Sequence, residues 1–119
     1  MTKTRLVFLI IVSLLLTAAA PPNMINTRKG QQFIITLESN RTTGYEWQIA
    51  SPLDKKIVKF IDSMYSVKHK NSLVGAGGDE KWIFRAIGKG KTTISLKYIR
   101  AWEKDTPPAQ TADYTVIVE

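Results

Sequence analysis

The chain has no cysteine among its 119 residues. This absence excludes disulfide bonds, thiol catalysis, thiolate metal sites and a lipid anchor attached to cysteine. Many small secreted domains depend on disulfides for stability. A folded domain made from this chain must instead be held together by apolar burial and a hydrogen-bonded sheet.

Histidine is almost as scarce, because His69 is the only one. It lies between Lys68 and Lys70, a setting that indicates a solvated loop residue rather than a general base. One histidine cannot build a zinc site. The neighbouring carboxylates Asp79 and Glu80 would point to opposite faces of a strand. Without a nucleophile, base and orienting group in one arrangement, the sequence predicts neither an enzyme nor a metal or cofactor site.

Long apolar runs are confined to the first twenty residues. A basic start, Met1 to Arg5, precedes the apolar run Leu6 to Leu16 and the small residues at 17–20. This is the layout of a secretory signal peptide, and the run is too short to span a bilayer comfortably. We expect cleavage after Ala19 or Ala20, with an uncleaved N-terminal anchor as the alternative. Residues 21–119 would then form one secreted or periplasmic domain with no membrane attachment.

The charge balance is basic without being concentrated. The chain is formally +7, and without Lys3 and Arg5 it keeps 15 basic and 10 acidic residues, a net charge of +5. A nucleic-acid interface would need a dense basic stripe with interleaved aromatics, so no nucleic-acid partner is expected. Solubility is the simpler interpretation of the charge, and steering towards an acidic protein partner is a weaker one.

The rest of the chain shows the period-two alternation of strands and no helical period. Turn residues separate the apolar segments. The pattern predicts an all-β, immunoglobulin-like antiparallel sandwich of about seven strands. The predicted strands are 24–27 (weak), 32–38, 45–49, 57–67 with a bend near Asp62 and Ser63, 81–87, 92–100 and 113–119.

Three stretches of this chain should meet at one end of such a sandwich. If successive strands alternate in direction, the loops after the second, fourth and sixth strands share that end. None of the stretches offers a nucleophile or a metal ligand, so we interpret them as a contact surface, as is common for loops gathered at one end of a sandwich. They are Asn40, Arg41, Thr42, Thr43, Gly44 and Tyr45; Gly75, Ala76, Gly77 and Gly78; and Arg100, Ala101 and Trp102.

Each stretch alone also has a simpler interpretation. The first could be an ordinary hairpin loop, and its Asn40-Arg41-Thr42 sequon is too common by chance to be informative. The glycine stretch could be a flexible hairpin tip. It fits a phosphate cradle poorly, because no Lys-Ser or Lys-Thr follows it and two carboxylates do. Trp102 could fold back on the sandwich edge, although an indole in a charged loop is typical of an interface anchor.

Taken together, the motifs resemble a known family. Asn40-x-Thr42-Thr43-Gly44-Tyr45, Gly75-x-Gly77-Gly78 and Arg100-x-Trp102 are similar, in order and spacing, to the three binding loops of chagasin-type inhibitors of papain-like cysteine proteases. The resemblance extends from about Gly30 to Glu119. It implies an inhibitor that binds its protease tightly, reversibly and without a covalent bond. Nothing in the sequence calls for an oligomer, so a monomer is expected.

The resemblance also implies a role for each loop. The three loops would form a wedge in the protease cleft, with Thr42 and Thr43 nearest the catalytic cysteine. The glycine loop would line one side through its backbone. Trp102 would pack on the other side, supported by Arg100. The alternative is a secreted immunoglobulin-like module that recognises another protein or a carbohydrate through the same loops.

Two positions depart from the family pattern. Arg41 and Ala101 stand where the family has proline. Both changes remove a locked φ angle, so looser loops are expected. Arg41 also adds a charge at the centre of the wedge, which could favour a protease with an acidic pocket.

Overall fold

The computed structural model describes residues 23–67 and 77–119. Its strands are β1 (Met24–Thr27), β2 (Gln32–Ser39), β3 (Glu46–Ile49), β4 (Val58–Val67), β5 (Gly78–Ala86), β6 (Gly90–Ile99) and β7 (Gln110–Val118), with a 3-10 turn at Arg41–Thr43. All seven predicted strands are present, including the weak first one. Within the described ranges, no helix is long and apolar enough to cross a membrane.

The strands form two packed sheets. One has the order β1-β7-β6-β3 and the other the order β2-β5-β4. Strand β1 runs parallel to β7, and the remaining pairs are antiparallel. The predicted immunoglobulin-like sandwich is therefore confirmed.

The register places at one end of the sandwich the strand ends from which three chain connections leave. In the smaller sheet, the ends of β2 and β4 flank Gly78 at the start of β5. In the larger sheet, Tyr98 near the end of β6 pairs with Trp47 in β3 and with Gln110 in β7. The two sheets are joined at this end, where the Asn40 amide donates to the Tyr98 hydroxyl at 2.9 Å.

The core consists of the alternate side chains that face between the sheets. Phe84, Ile94, Leu96 and Val116 are completely buried, and Phe84 stacks on Phe33 with ring centroids 5.6 Å apart. Burying one such aliphatic or aromatic side chain contributes about 1.5–3 kcal/mol. Apolar burial and the two sheets thus stabilise a domain that has no disulfide.

Strand β4 departs from the predicted pattern. Phe60, Ile61, Met64 and Val67 are all apolar, yet 38–52% of the surface of each is exposed. The reason is that β4 forms an edge of the smaller sheet. Its register with β5 also shifts between Phe60 and Asp62, so the irregularity lies just before the bend predicted near Asp62 and Ser63.

Some of the predictions fall on residues outside the described ranges. These are the signal segment at 1–20, His69 in the β4–β5 connection, and Gly75 and Ala76 of the glycine stretch.

Candidate functional site

The β2–β3 loop is a single 3-10 turn closed by its own side chains. Asn40 precedes the turn with extended backbone, and its Oδ1 accepts hydrogen bonds from the Thr42 amide at 3.1 Å and the Thr42 hydroxyl at 2.6 Å. The Thr43 hydroxyl donates to the Asn40 carbonyl at 2.6 Å. This is the helix-cap chemistry of asparagine. Both threonine hydroxyls are therefore bonded within the loop, which makes the turn rigid.

Gly44 ends the turn and is required there for two reasons. Its φ of +85° lies in the left-handed region, and its amide donates to the Arg41 carbonyl at 3.1 Å. In addition, a Cβ at this position would overlap Cη2 of Trp102. Glycine alone satisfies both conditions at low energetic cost. The β2–β3 turn and the β6–β7 loop are in direct contact at this residue.

Arg100 links the same two loops through its guanidinium group. Its Nε donates to the Thr43 carbonyl at 3.1 Å, and its Cζ lies 4.4 Å above the centre of the Tyr45 ring. The same Cζ lies 5.9 Å from the centre of the Trp102 ring, a longer cation–π contact, and Nη1 pairs with Glu103 at 3.5 Å. The planar shape of arginine allows one group to stack and to donate at once.

A row of aromatic rings connects this link to the core. Buried Trp47 packs on Tyr98 at 5.0 Å between centroids, and Tyr98 stacks on Tyr45 at 5.1 Å. Arg100 then covers the outer face of Tyr45. Such ring contacts contribute about 0.5–1.5 kcal/mol each beyond their burial. The loop end of the sandwich is thus built directly on the core.

Trp102 is the most exposed large apolar residue of the described chain. Of its surface, 67% is accessible, although its ring tip lies against Gly44. The indole is therefore not buried in the core, but its tip packs against the β2–β3 turn. A large ring that is supported on one side and exposed on the other is typical of an interface anchor.

The described half of the glycine stretch lies at the same end, at the start of β5. A Cβ on Gly78 would overlap the Ser66 carbonyl of β4, so Gly78 serves the packing of the sheet. A Cβ on Gly77 would come no closer than 3.5 Å, to the Ser39 carbonyl. The fold therefore does not require glycine at position 77. Gly75 and Ala76 lie outside the described residues.

Glu80 also belongs to this site, although it was not among the residues predicted from the sequence. Only 1% of its surface is exposed, and its carboxylate accepts from the Ser39 hydroxyl at 2.7 Å and the Trp82 indole at 3.2 Å. Arg41 approaches the same carboxylate, with its Nε 3.8 Å from Oε2. The alternation that buries Trp82 and Phe84 also places Glu80 on the buried face, and this signal could have identified it.

The site offers rigid surface rather than reactive groups. Within residues 23–67 and 77–119, no three side chains of the His, Cys, Asp and Glu types gather where a metal could bind. The surface presents a locked threonine turn, a closely packed glycine backbone and an exposed indole. Such a surface is suited to recognition of a protein partner.

Comparison with known proteins gives a consistent result. The model of a family described as chagasin family peptidase inhibitor I42 matches residues 26–116. Amoebiasin-2 of Entamoeba histolytica is 32% identical over 84 residues, which cover 71% of this chain and 68% of that protein.

Solved structures with the same fold include three similar proteins. The cysteine protease inhibitor EhICP2 from Entamoeba histolytica superposes with a TM-score of 0.65 at 25% identity, covering 83% of this chain and all of that one. Amebosin has a TM-score of 0.56 at 28% identity, over 80% of this chain and 85% of its own. Leishmania mexicana ICP has a TM-score of 0.54 at 24% identity, over 86% and 90% respectively.

Proposed function

The chain belongs to the chagasin family of peptidase inhibitors, and from this premise we propose that its loop end enters the active-site cleft of a papain-like cysteine protease. The protein is a cysteine protease inhibitor rather than an enzyme. The family assignment favours this function over another immunoglobulin-like binding module. The proposal adds the residues that make the contact and the way they bind.

One observation carries the assignment of the loops. The Asn40–Gly44 turn is closed by its own hydrogen bonds, bonded to Arg100 and packed against Trp102. The turn and the indole therefore form one continuous surface, and the turn itself is held in place. Little conformational freedom remains to be lost on binding, which favours affinity.

In the proposed complex the centre of the contact is the threonine pair. Thr42 and Thr43 lie over the catalytic cysteine of the protease. The rigid turn offers the thiolate no peptide bond in a geometry that leads to cleavage. Inhibition is accordingly tight, reversible and non-covalent.

The two flanks bind in different ways. The stretch from Gly75 to Gly78, with Ala76, lines one side of the cleft through its backbone, since residues without large side chains permit close approach. Trp102 packs on the other side against apolar or aromatic protease residues, and Arg100 holds it in place. An exposed indole with one supported face suits such a pocket.

The test is an inhibition assay with purified protein from Pro21 onward, which contains all seven strands. Inhibition constants are measured against papain and a cathepsin L-like enzyme. Trp102→Ala should weaken inhibition at least about tenfold, or about 1.4 kcal/mol. Thr43→Ala should weaken it as well, because the turn loses the bond that closes it.

The matched control is Ile34→Ala. This residue is also an exposed apolar side chain, at 54%, but it lies in β2 away from the loop end. It should leave the inhibition constant unchanged, and melting curves should show that every variant is folded. The absence of inhibition at micromolar concentration across several such proteases would contradict the proposed function. Full inhibition by both loop variants would contradict the loop assignment.

Cell location and assembly are part of the proposal. The basic start and apolar run of residues 1–20 support export, with residues 21–119 as a secreted or periplasmic monomer. N-terminal sequencing of the exported protein should begin at Ala20 or Pro21, and its light-scattering mass should be that of one chain. Retention in the cell, or a dimer mass, would refute the corresponding part.

A further inference from the structure

Glu80 is a buried carboxylate that contacts several elements of the loop end. Oε1 accepts from the Trp82 indole at 3.2 Å, whereas Oε2 accepts from the Ser39 hydroxyl at 2.7 Å and the Trp47 amide at 3.5 Å. Ser39 ends β2 and Trp47 lies at the start of β3, so these bonds bracket the β2–β3 turn. A buried charge is tolerated only where donors and a counter-charge compensate for its lost hydration.

Arg41 provides that counter-charge from the turn itself. Its Nε is 3.8 Å from Oε2 of Glu80, and its Cζ lies 5.0 Å above the Tyr65 ring of β4. The guanidinium group at the centre of the proposed wedge is therefore engaged by two residues of its own chain. Half of the Arg41 side chain remains exposed, whereas only 2% of the Glu80 side chain does.

We propose that Glu80 is a positioning residue that holds the β2–β3 turn in its binding form through Arg41, Ser39 and Trp47. Arg41 thus acts as a strut within the inhibitor and not as a contact for an acidic protease pocket. This inference rests on the proposed function, since the turn it positions is the proposed centre of the protease contact. The strut provides a restraint that proline would otherwise supply at position 41.

The two interpretations of Arg41 predict different effects of its replacement on the inhibition of different proteases. If Arg41 binds an acidic pocket, Arg41→Met should not weaken inhibition of a protease that lacks such a pocket. The association rate should then also depend on salt. A strut affects every target protease equally. Its removal should therefore weaken inhibition by the same factor whether or not the protease cleft is acidic.

The experiment is a double-mutant cycle on inhibition constants with Arg41→Met, Glu80→Gln and the double variant. Arg41→Met keeps an unbranched stem and should weaken inhibition about threefold to fivefold, the scale of a partly exposed ion pair. Glu80→Gln should weaken it about tenfold, because an amide cannot accept from all of these donors. The double variant should inhibit as well as Glu80→Gln does, since both changes remove the same restraint on the turn.

Glu80→Gln is the variant that separates position from charge. It leaves the Arg41 charge in place but removes the buried carboxylate that holds it. It should weaken inhibition if Arg41 is a strut, and leave inhibition at the level of the parent if the Arg41 charge binds the protease. Multiplicative effects in the cycle, an unchanged inhibition constant in Glu80→Gln, or an Arg41→Met effect restricted to acidic clefts would each overturn the inference.

A second measurement requires no protease. In the free inhibitor, Glu80→Gln should shift the NMR signals of the Arg41 Nε–H and of the Trp82 indole, because the carboxylate lies beside both groups. Melting curves should show that Glu80→Gln and Arg41→Met are folded. An Arg41 Nε–H signal that does not respond to Glu80→Gln would refute the strut even where inhibition is strong. A parent that inhibits no protease but shows the response would refute the proposed function alone.

Discussion

Replacing Gly44 with alanine should weaken inhibition by changing the shape of the loop end, and this effect can be separated from the loss of fold stability. Gly44 has a φ of +85°, and its Cβ would overlap the Trp102 ring. Gly30 is the matched control, since its φ is +96° but nothing lies within 4 Å of the Cβ it would acquire. The left-handed conformation costs a residue with a Cβ about 1–2 kcal/mol. Both variants should therefore lose stability by similar amounts.

The two variants should differ in inhibition. At Gly44 the new methyl group must displace Trp102, and an anchoring indole of this kind is worth about 2 kcal/mol or more, which is a ~30-fold change in the inhibition constant. Gly30→Ala should leave that constant unchanged, because Gly30 lies at the opposite end, in the β1–β2 connection. Melting curves measure the loss of stability that both variants share. The melting temperature should fall by about 4–8 °C per kcal/mol for a domain of this size.

The Trp102→Ala background decides the mechanism. Without the ring the methyl group meets no obstacle, so Gly44→Ala should weaken inhibition little further in that background. The double variant should thus resemble Trp102→Ala, whereas independent losses would multiply to about 900-fold. Multiplicative losses, or a Gly30→Ala variant as weak as Gly44→Ala, would refute the steric link between the two loops.

Three further predictions concern other parts of the domain. Gly77→Ala should keep the melting temperature whereas Gly78→Ala, which would overlap the β4 backbone, should lower it; equal melting temperatures would argue against that packing. Tyr98→Phe removes the hydroxyl that accepts from the Asn40 amide and should cost about 1 kcal/mol in chemical unfolding, and an unchanged stability would show that water replaces the bond. Burial raises the pKa of Tyr114 above its ordinary value of 10.0. Because the folded state holds the proton more tightly, stability should fall as the pH rises past 10, and less so in Tyr114→Phe.

The strand pattern was readable from the sequence because alternation in a sheet is a local property. Phe33, Ile35 and Leu37 are buried while Ile34 is exposed, as period two requires. The family was also recognisable, since motifs on three loops kept their order. The exposure of Phe60 and Met64 in β4 was not predictable, because it depends on which strand forms the edge of a sheet.

The contacts within the site could not be predicted from the sequence either, because they also depend on how the strands are arranged in the tertiary structure. Sequence analysis treated Arg41 as a charge offered to a partner, and nothing local to the turn indicates otherwise. The carboxylate that faces it is 39 residues away and the Tyr65 ring is on a third strand, so only the packed sandwich brings them together. The sequence by itself determined where the strands lie, where the turns need glycine and which family the chain belongs to. The tertiary structure determined which side chains hold the loops, because those contacts join residues that are distant in the chain.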